Sequence, residues 1–161
     1  MTSRFPKPLI AAIATLILGL ATALAEPYAK GSEVESFTTI DQHEKEFVFD
    51  PKSTKFLLVS HDMDSGKKAN VALNALGKDF LHQHKAVFLS NIHGMPGVGR
   101  MFALPKMRKY AHQIVLADDA ALIARFPATA GKVTLLKLAN GKVSEVSTWD
   151  PAAEKIEELL K

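Results

Sequence analysis

Short apolar runs and helical patterns alternate from residue 37 to the end of the chain. Residues 55–60 and 85–90 are almost wholly apolar, which is typical of strands covered on both faces. Between them, apolar residues recur at helical spacing from Ser65 to about His84. The pattern predicts strands over 37–40, 47–49, 55–60, 85–90, 113–117, 133–138 and 142–147, and helices over 65–84, 101–111, 120–126 and 152–160.

This order of elements predicts a single α/β domain over residues 37–161. Parallel β-α-β units come first, and a hairpin turning at Asn140-Gly141 and a closing helix follow. Such an order predicts a mixed sheet with helices on both faces. Asp150 and Pro151 have the residue types of an N-cap and first position for the last helix. Residues 26–36 read as a flexible lead into the domain.

The first 25 residues have the pattern of an export signal. Arg4 and Lys7 precede an apolar run over 9–24, and Ala23-Leu24-Ala25 is a small-x-small cleavage site. An uncleaved anchor helix is the alternative, but the run is short for a membrane span of about 20 residues. We therefore predict cleavage and a periplasmic or secreted protein with no membrane segment afterwards.

The net charge and the absence of cysteine exclude several classes of function. Removing Arg4 and Lys7 with the signal leaves 18 basic residues, from 20, against 17 acidic ones. A mature chain so close to neutral, without a long basic run, gives no support for binding nucleic acid or an anionic membrane. The chain also has no cysteine. Thiol redox chemistry, disulfides and thiolate metal sites on this chain are therefore excluded.

Several segments, in order, resemble the thioredoxin-like superfamily, in the longer form of peroxiredoxin-like and periplasmic thiol-disulfide proteins. Phe37-x-x-x-Asp41-x-x-x-Lys45 is similar to the opening hairpin of that family, and residues 55–60 to its central strand. Residues 113–118 resemble a later strand, and 133–136 with 140–143 resemble the final hairpin. The resemblance implies the thioredoxin fold.

The family's redox site is missing from the matching positions. A Cys-x-x-Cys pair should open the first long helix, where this chain has Asp64-Ser65-Gly66-Lys67-Lys68-Ala69. The family's cis-proline should precede Thr134, but Val133 stands there, and we expect a trans bond because a non-proline cis bond costs about 2.5–4 kcal/mol. The degenerate redox positions are thus Ser65, Gly66, Ala69 and Val133, and no catalytic residue is carried over.

Histidine and methionine follow the predicted strands near this position. His61 and Met63 come after one buried strand, and His93 and Met95 after the next. Carboxyl ends of parallel strands meet at one edge of a sheet, where ligands bind. Imidazole with thioether suits copper, so these four residues are a candidate metal site. The alternative is that the histidines are ordinary loop residues and the methionines fill the core or its rim.

Two functional hypotheses follow. The first is an exported, redox-inactive binding module of the cell envelope, without catalytic residues or cofactor, which holds an unknown envelope protein or small ligand. The alternative is a periplasmic copper-binding protein. A glycine-rich segment, Gly94-x-x-Gly97-x-Gly99-Arg100, could form an anion-binding loop, but it matches no phosphate-binding fingerprint and more simply forms a flexible connection.

Overall fold

The computed structural model describes residues 26–161, so the predicted signal peptide lies outside the described residues. In chain order the strands are β1 (Phe37–Asp41), β2 (Glu46–Phe49), β3 (Phe56–Ser60), β4 (Ala86–Asn91), β5 (Val115–Ala117), β6 (Val133–Ala139) and β7 (Lys142–Trp149). The helices are α1 (Met63–Ala75), α2 (Phe80–Gln83), α3 (Gly97–Met107), α4 (Ala120–Ala124) and α5 (Ile156–Leu159).

These strands form one mixed sheet in the order β2-β1-β5-β4-β3-β6-β7. The central strands β3, β4 and β5 are parallel, and the outer pairs are antiparallel. All five residues of β3 are buried, as its unbroken apolar pattern predicts. The mixed sheet of the predicted fold class is confirmed.

Alternate residues of the strands supply two apolar cores, one on each face of the sheet. Leu58 and Phe88 belong to the core that packs against α1, α2, α3 and α5. Leu57 and Leu89 belong to the opposite core, which Leu122 of α4 completes. Helices therefore cover both faces, as expected. No helix within residues 26–161 is long and apolar enough to span a membrane.

The first predicted helix is divided in two. The pattern predicts one helix over 65–84, but α1 ends at Ala75 and α2 begins at Phe80. Gly77 has φ 88°, a left-handed conformation that ends a helix and that glycine adopts without steric cost. The apolar spacing continues across this break because Leu73, Phe80 and Leu81 pack into the same core.

The closing helix is shorter than predicted. Asp150 does not cap a long helix. Instead, its Oδ1 accepts a hydrogen bond from the Ala152 N–H at 3.0 Å within a turn, and α5 begins only at Ile156. The fully buried Trp149 donates its indole N–H to the Glu154 carbonyl at 3.0 Å. The turn therefore closes over Trp149 before the helix starts.

Residues 26–36 contact the body of the domain. The Tyr28 N–H donates to the Arg125 carbonyl at 2.7 Å, and Val34 is 6% exposed within the α4-side core. Gly31 and Val34 donate backbone hydrogen bonds to Val143 and Gly141. The sequence predicts a flexible lead over residues 26–36. In the structure, backbone hydrogen bonds join residues 28–34 to the domain.

Candidate functional site

Three parallel strands end together at one edge of the sheet. β3, β4 and β5 end at Ser60, Asn91 and Ala117, and the next residues begin the connections to the helices. This edge is where open α/β sheets bind ligands, and where the resemblance places the lost redox site.

Asp62 fixes the start of α1 at this edge. Its Oδ1 accepts the Ser65 N–H at 2.8 Å, which caps the helix, and its Oδ2 accepts the Gly131 N–H at 3.2 Å. Burial alone would raise the pKa of the Asp62 carboxyl, but hydrogen bonds from Ser65 and Gly131 hold that pKa below its ordinary value. A single carboxylate therefore ties α1 to the loop that precedes β6.

Buried, unreactive groups occupy the degenerate redox positions. Ser65 is fully buried and its hydroxyl donates to the Asp62 carbonyl at 3.2 Å. Ala69 and Val133 are both fully buried members of one apolar core, and the peptide bond before Val133 is trans, as expected. A Cβ on Gly66 would lie 3.3 Å from Ser60 Oγ, so glycine allows the helix to approach the sheet closely. Hydroxyl and apolar packing thus fill the positions that the resemblance assigns to a thiol pair.

The two candidate histidines are directed to opposite sides of the β3–β4 pair. His61 Nε2 lies 3.3 Å from Thr134 Oγ1 on β6, and burial lowers the pKa of its imidazole despite a hydrogen bond from the ring to the Pro127 carbonyl. His93 lies on the β5 side, where its Nδ1 is 3.8 Å from Asp118 Oδ1. β6 and β5 flank β3 and β4 on opposite sides, so these contacts separate the two rings.

The two candidate methionines do come together. Met63, at the start of α1, and Met95, before α3, line the same small cavity, which neither histidine lines. Within residues 26–161 no group of three or more His, Asp or Glu side chains is arranged to hold a metal ion. The structure thus pairs the methionines without bringing the histidines to them, and the four-residue copper site gains no geometric support.

Arg100 organises the glycine-rich connection. Its guanidinium donates to both carboxylate oxygens of Asp118 at 2.5 and 2.6 Å, and to the Met95 and Ile92 carbonyls at 3.1 Å each. The Arg100 guanidinium holds the pKa of Asp118 below its ordinary value. The Arg100 guanidinium is therefore already hydrogen-bonded within the protein and is not free to bind an anion. The glycine-rich segment is a connection to α3 that these hydrogen bonds hold in place.

The cavity shared by Met63 and Met95 lies between α1 and α3, and we call it the methionine cleft. Its volume is about 70 Å³, enough for one side chain. Met107 and Tyr110 line its apolar part, Asn70 and Ser90 its polar part, and Lys67 and Lys106 are exposed at its rim.

The same helix α3 that lines the cleft exposes an apolar stripe to solvent on another face. Val98, Met101 and Phe102 are 65%, 65% and 72% exposed, and their i, i+3, i+4 spacing puts them on one face. Sequence reasoning missed this stripe, because a helix with apolar residues on every side normally indicates a buried one. The number of apolar residues in this helix could have revealed the stripe. Only Met107 of α3 is buried, so its other apolar residues exceed what the core requires.

Comparison with solved structures identifies the architecture. The thioredoxin domain of a thiol-disulfide oxidoreductase from Bacteroides vulgatus matches with a TM-score of 0.53 at 15% identity, over 83% of this chain and 99% of that one. A putative protein disulfide isomerase from Bacteroides thetaiotaomicron matches with a TM-score of 0.54 at 15% identity, over 85% and 89%. This chain has a thioredoxin-like fold. A peroxiredoxin-like protein from Aquifex aeolicus matches this fold with a TM-score of 0.53 at 10% identity, over 85% of this chain and 86% of that one.

This chain shares a fold with these proteins but has no cysteine for the thiol chemistry that the names of the first two describe. Identities of 10–15% establish architecture only. No protein-family model and no curated protein matches the sequence. Function must therefore be argued from the side chains and cavities of this chain.

Proposed function

We propose that this protein is an exported, redox-inactive binding module that holds a partner protein of the cell envelope through the methionine cleft and the exposed face of α3. The partner segment that fits is short, with one apolar side chain entering the cleft and acidic residues beside it. The single observation that carries the proposal is that α3 lines a side-chain-sized cavity on one face, with Ala103 and Met107, and exposes an apolar stripe on another. An exposed contiguous apolar patch of this kind marks an interaction site more often than an isolated surface residue does.

The size of the cleft favours a protein partner over a small ligand. Ligand pockets usually enclose about 300–1,000 Å³, whereas the cleft has about 70 Å³. A cavity this small accepts one anchoring side chain, and the exposed Val98, Met101 and Phe102 of α3 offer further apolar contact area. Anchor residues in small pockets carry much of the affinity at protein interfaces.

Methionines suit such a surface because their flexible, polarizable side chains adapt to partners of different shape. All four methionines within residues 26–161 lie here: Met63, Met95 and Met107 line the cleft, and Met101 is exposed on α3. Gly99 makes room for one of them, since a Cβ there would lie 3.2 Å from Met95 Cγ.

Charge at the rim selects the partner further. Lys67 and Lys106 are exposed, and neither lies within 4.0 Å of a carboxylate oxygen in residues 26–161. Two unpaired ammonium groups beside an apolar anchor site favour acidic residues next to the anchor of the partner. The copper alternative is not part of this proposal, because neither His61 nor His93 lines the cavity that Met63 and Met95 share.

Fluorescence anisotropy with defined peptides tests the proposal. The peptides vary one central residue, leucine or methionine against alanine, and flank it with glutamate or with lysine. We expect saturable binding only with the large anchor and the acidic flanks. Replacing Met101 and Phe102 together by glutamine should weaken it by at least about tenfold, because burying even one large apolar side chain is worth about 1.5–3 kcal/mol.

The matched control is Val146→Gln, which changes an exposed apolar residue on β7, away from the cleft. This variant should bind like the parent chain. If Val146→Gln weakens binding as much as the double change at Met101 and Phe102, the cleft does not select partners. The same follows if affinity does not depend on the central residue or on the charge of the flanking residues. Absence of binding to every peptide would also overturn the proposal.

A further inference from the structure

A second, larger cavity lies at the opposite end of the sheet from the methionine cleft. It surrounds the amino ends of β3 and β4, near Thr54 and Ala86, and has a volume of about 580 Å³. This volume is within the range of small-molecule sites, about 300–1,000 Å³. We call it the lysine cavity, for the residues described next.

Part of the lysine cavity is apolar. Side chains from β2, α2, β4, β5 and β6 line it: Phe47, Leu81, Val87, Phe88, Val115 and Leu138. Leu81 and Phe88 belong to the core on one face of the sheet, and the other four belong to or pack against the core on the opposite face. This apolar floor therefore wraps around the amino ends of β3 and β4 and is fixed by the fold. A floor of this kind binds an apolar body and excludes a fully hydrated ion.

Positive charge dominates the rest of the lining. Lys52, Lys55, Lys78 and Lys85 border the cavity together with His82, against one carboxylate, Asp50. Asp50 Oδ1 accepts the Lys52 backbone N–H at 2.9 Å, and this hydrogen bond lowers the pKa of its carboxyl. The carboxylate is thus already used within its own turn.

None of these four lysines has an acidic partner. In residues 26–161 no carboxylate oxygen lies within 4.0 Å of their ammonium groups, and residues 1–25 contain no Asp or Glu. The Lys55 ammonium is 5.1 Å from the centroid of the Phe56 ring, a cation–π contact that fixes its position. Four ammonium groups around one cavity repel one another, and a bound anion relieves that repulsion.

The backbone at Lys85 adds an independent observation. Lys85 follows α2 with φ 50°, in the left-handed region where glycine is the favoured residue. A lysine there carries a steric cost that glycine would avoid. Strained residues of this kind concentrate at functional sites, and here the strained residue contributes an ammonium group to the cavity.

We propose that the lysine cavity binds an anionic amphiphile: a carboxylate or phosphate head group on a single apolar chain. The lysines hold the head group, and the apolar floor holds the chain. Head group and floor are both required, because lysine charge alone at an exposed surface binds weakly and is screened by salt. This site is separate from the methionine cleft and does not depend on the proposed partner binding.

Isothermal titration calorimetry below micelle-forming concentrations tests the proposal, with decanoate and decyl phosphate as probes. Inorganic phosphate tests the head alone, and decyl maltoside tests the chain with a neutral head. We expect the two anionic amphiphiles to bind and the other two probes not to. Replacing Lys52 and Lys78 together by glutamine should weaken binding about tenfold, since each exposed charge contact is worth up to about 1 kcal/mol.

Two further variants separate binding from folding. Lys85→Gly should weaken binding about threefold while the melting temperature stays equal or rises, a combination that simple damage to the fold cannot produce. Lys109→Gln removes an exposed lysine outside the cavity and should leave binding unchanged. The double glutamine variant at Met101 and Phe102 should also bind the amphiphiles normally.

Each other outcome overturns the proposal. Phosphate binding as tightly as decyl phosphate would mean that the floor contributes nothing. Decyl maltoside binding as tightly as decanoate would mean that the lysines contribute nothing. Loss of binding with the Met101 and Phe102 changes would place the ligand at the other end of the sheet. If neither decanoate nor decyl phosphate gives a heat of binding, the lysine cavity does not bind anionic amphiphiles.

Discussion

A fully buried histidine should make the stability of this protein depend on pH. His112 is 0% exposed, and its Nε2 lies 2.9 Å from Oδ1 of the buried Asn70 on α1. Its Nδ1 is buried and has no hydrogen-bond partner in residues 26–161. Protonation would place an unpaired N–H and a charge among the aromatic rings of Phe88 and Tyr110. Burial therefore lowers the pKa of His112 from 6.5 to about 4.

The direction of the effect follows from which state binds the proton. Between pH 6.5 and about pH 4 the unfolded chain is protonated at His112 and the folded chain is not. Folding then releases a proton, so stability is full above pH 6.5 and falls as the pH decreases. Each pH unit costs about 1.4 kcal/mol, and the whole window about 3 kcal/mol. That is a large share of the usual 5–15 kcal/mol for a domain.

Urea unfolding at pH 7.5 and pH 5.0, followed by the fluorescence of the single, fully buried Trp149, measures the effect. His112→Gln removes the titrating ring and keeps a donor for Asn70. The parent chain should lose about 2 kcal/mol more than this variant between the two pH values. Contributions from His61 and from the carboxylates are common to both chains and cancel in the difference.

Val146→Gln is the control, since it changes an exposed residue that does not contact His112 and should leave the parental pH dependence. Parallel stability curves for the parent and His112→Gln, within about 0.5 kcal/mol, would refute the reasoning because burial would then not suppress protonation. An intermediate difference would measure how far the folded protein relaxes around the charged ring.

Two further changes test the backbone of the fold. Asp62→Ala should lower the free energy of unfolding in urea at pH 7 by about 1–2 kcal/mol, because it removes the α1 cap and the hydrogen bond to Gly131. The matched control is Asp79→Ala, which changes an α2 cap without a side-chain hydrogen bond and should lower it little. Equal losses would mean that the cap hydrogen bond is not what stabilises α1. Lys85→Gly should raise stability by about 1 kcal/mol by relieving φ 50°, and Asn140→Gly, at φ 51°, should raise it less because asparagine tolerates that conformation. A destabilised Lys85→Gly chain would contradict this account.

Much of the fold could be predicted because hydrophobic pattern and burial agree along the central strands. The continuous runs at 55–60 and 85–90 became β3 and β4, each covered on both faces. Asn140-Gly141 turns the hairpin with both residues at positive φ. The absence of thiol chemistry was also readable, because the chain has no cysteine. The assignment of residues 65, 66, 69 and 133 to former redox positions stays a prediction from the resemblance.

The site itself could be predicted only in part. Strand ends placed His61, Met63, His93 and Met95 at one edge, but sequence order does not determine where a side chain points. Thr134 on β6 and Asp118 after β5 draw the two imidazoles apart, and both partners are distant in sequence. The exposed stripe of α3 and the lysine cavity depend on which faces the core leaves uncovered. The lysine cavity gathers Lys52, Lys78 and Lys85 from three separate connections.

The backbone hydrogen bonds of residues 28–34 have a consequence for the predicted cleavage of the export signal. Only Glu26 and Pro27 lie between the predicted cleavage point after Ala25 and Tyr28, whose N–H is bonded to Arg125. Two residues span at most about 7 Å, and a peptidase must bind extended backbone on both sides of the bond it cuts. Residues 28–34 cannot enter its active site while they are paired with Arg125, Gly141 and Val143. We therefore expect processing to precede docking of this segment, so that a precursor allowed to fold first resists the peptidase while the same precursor in urea is cut.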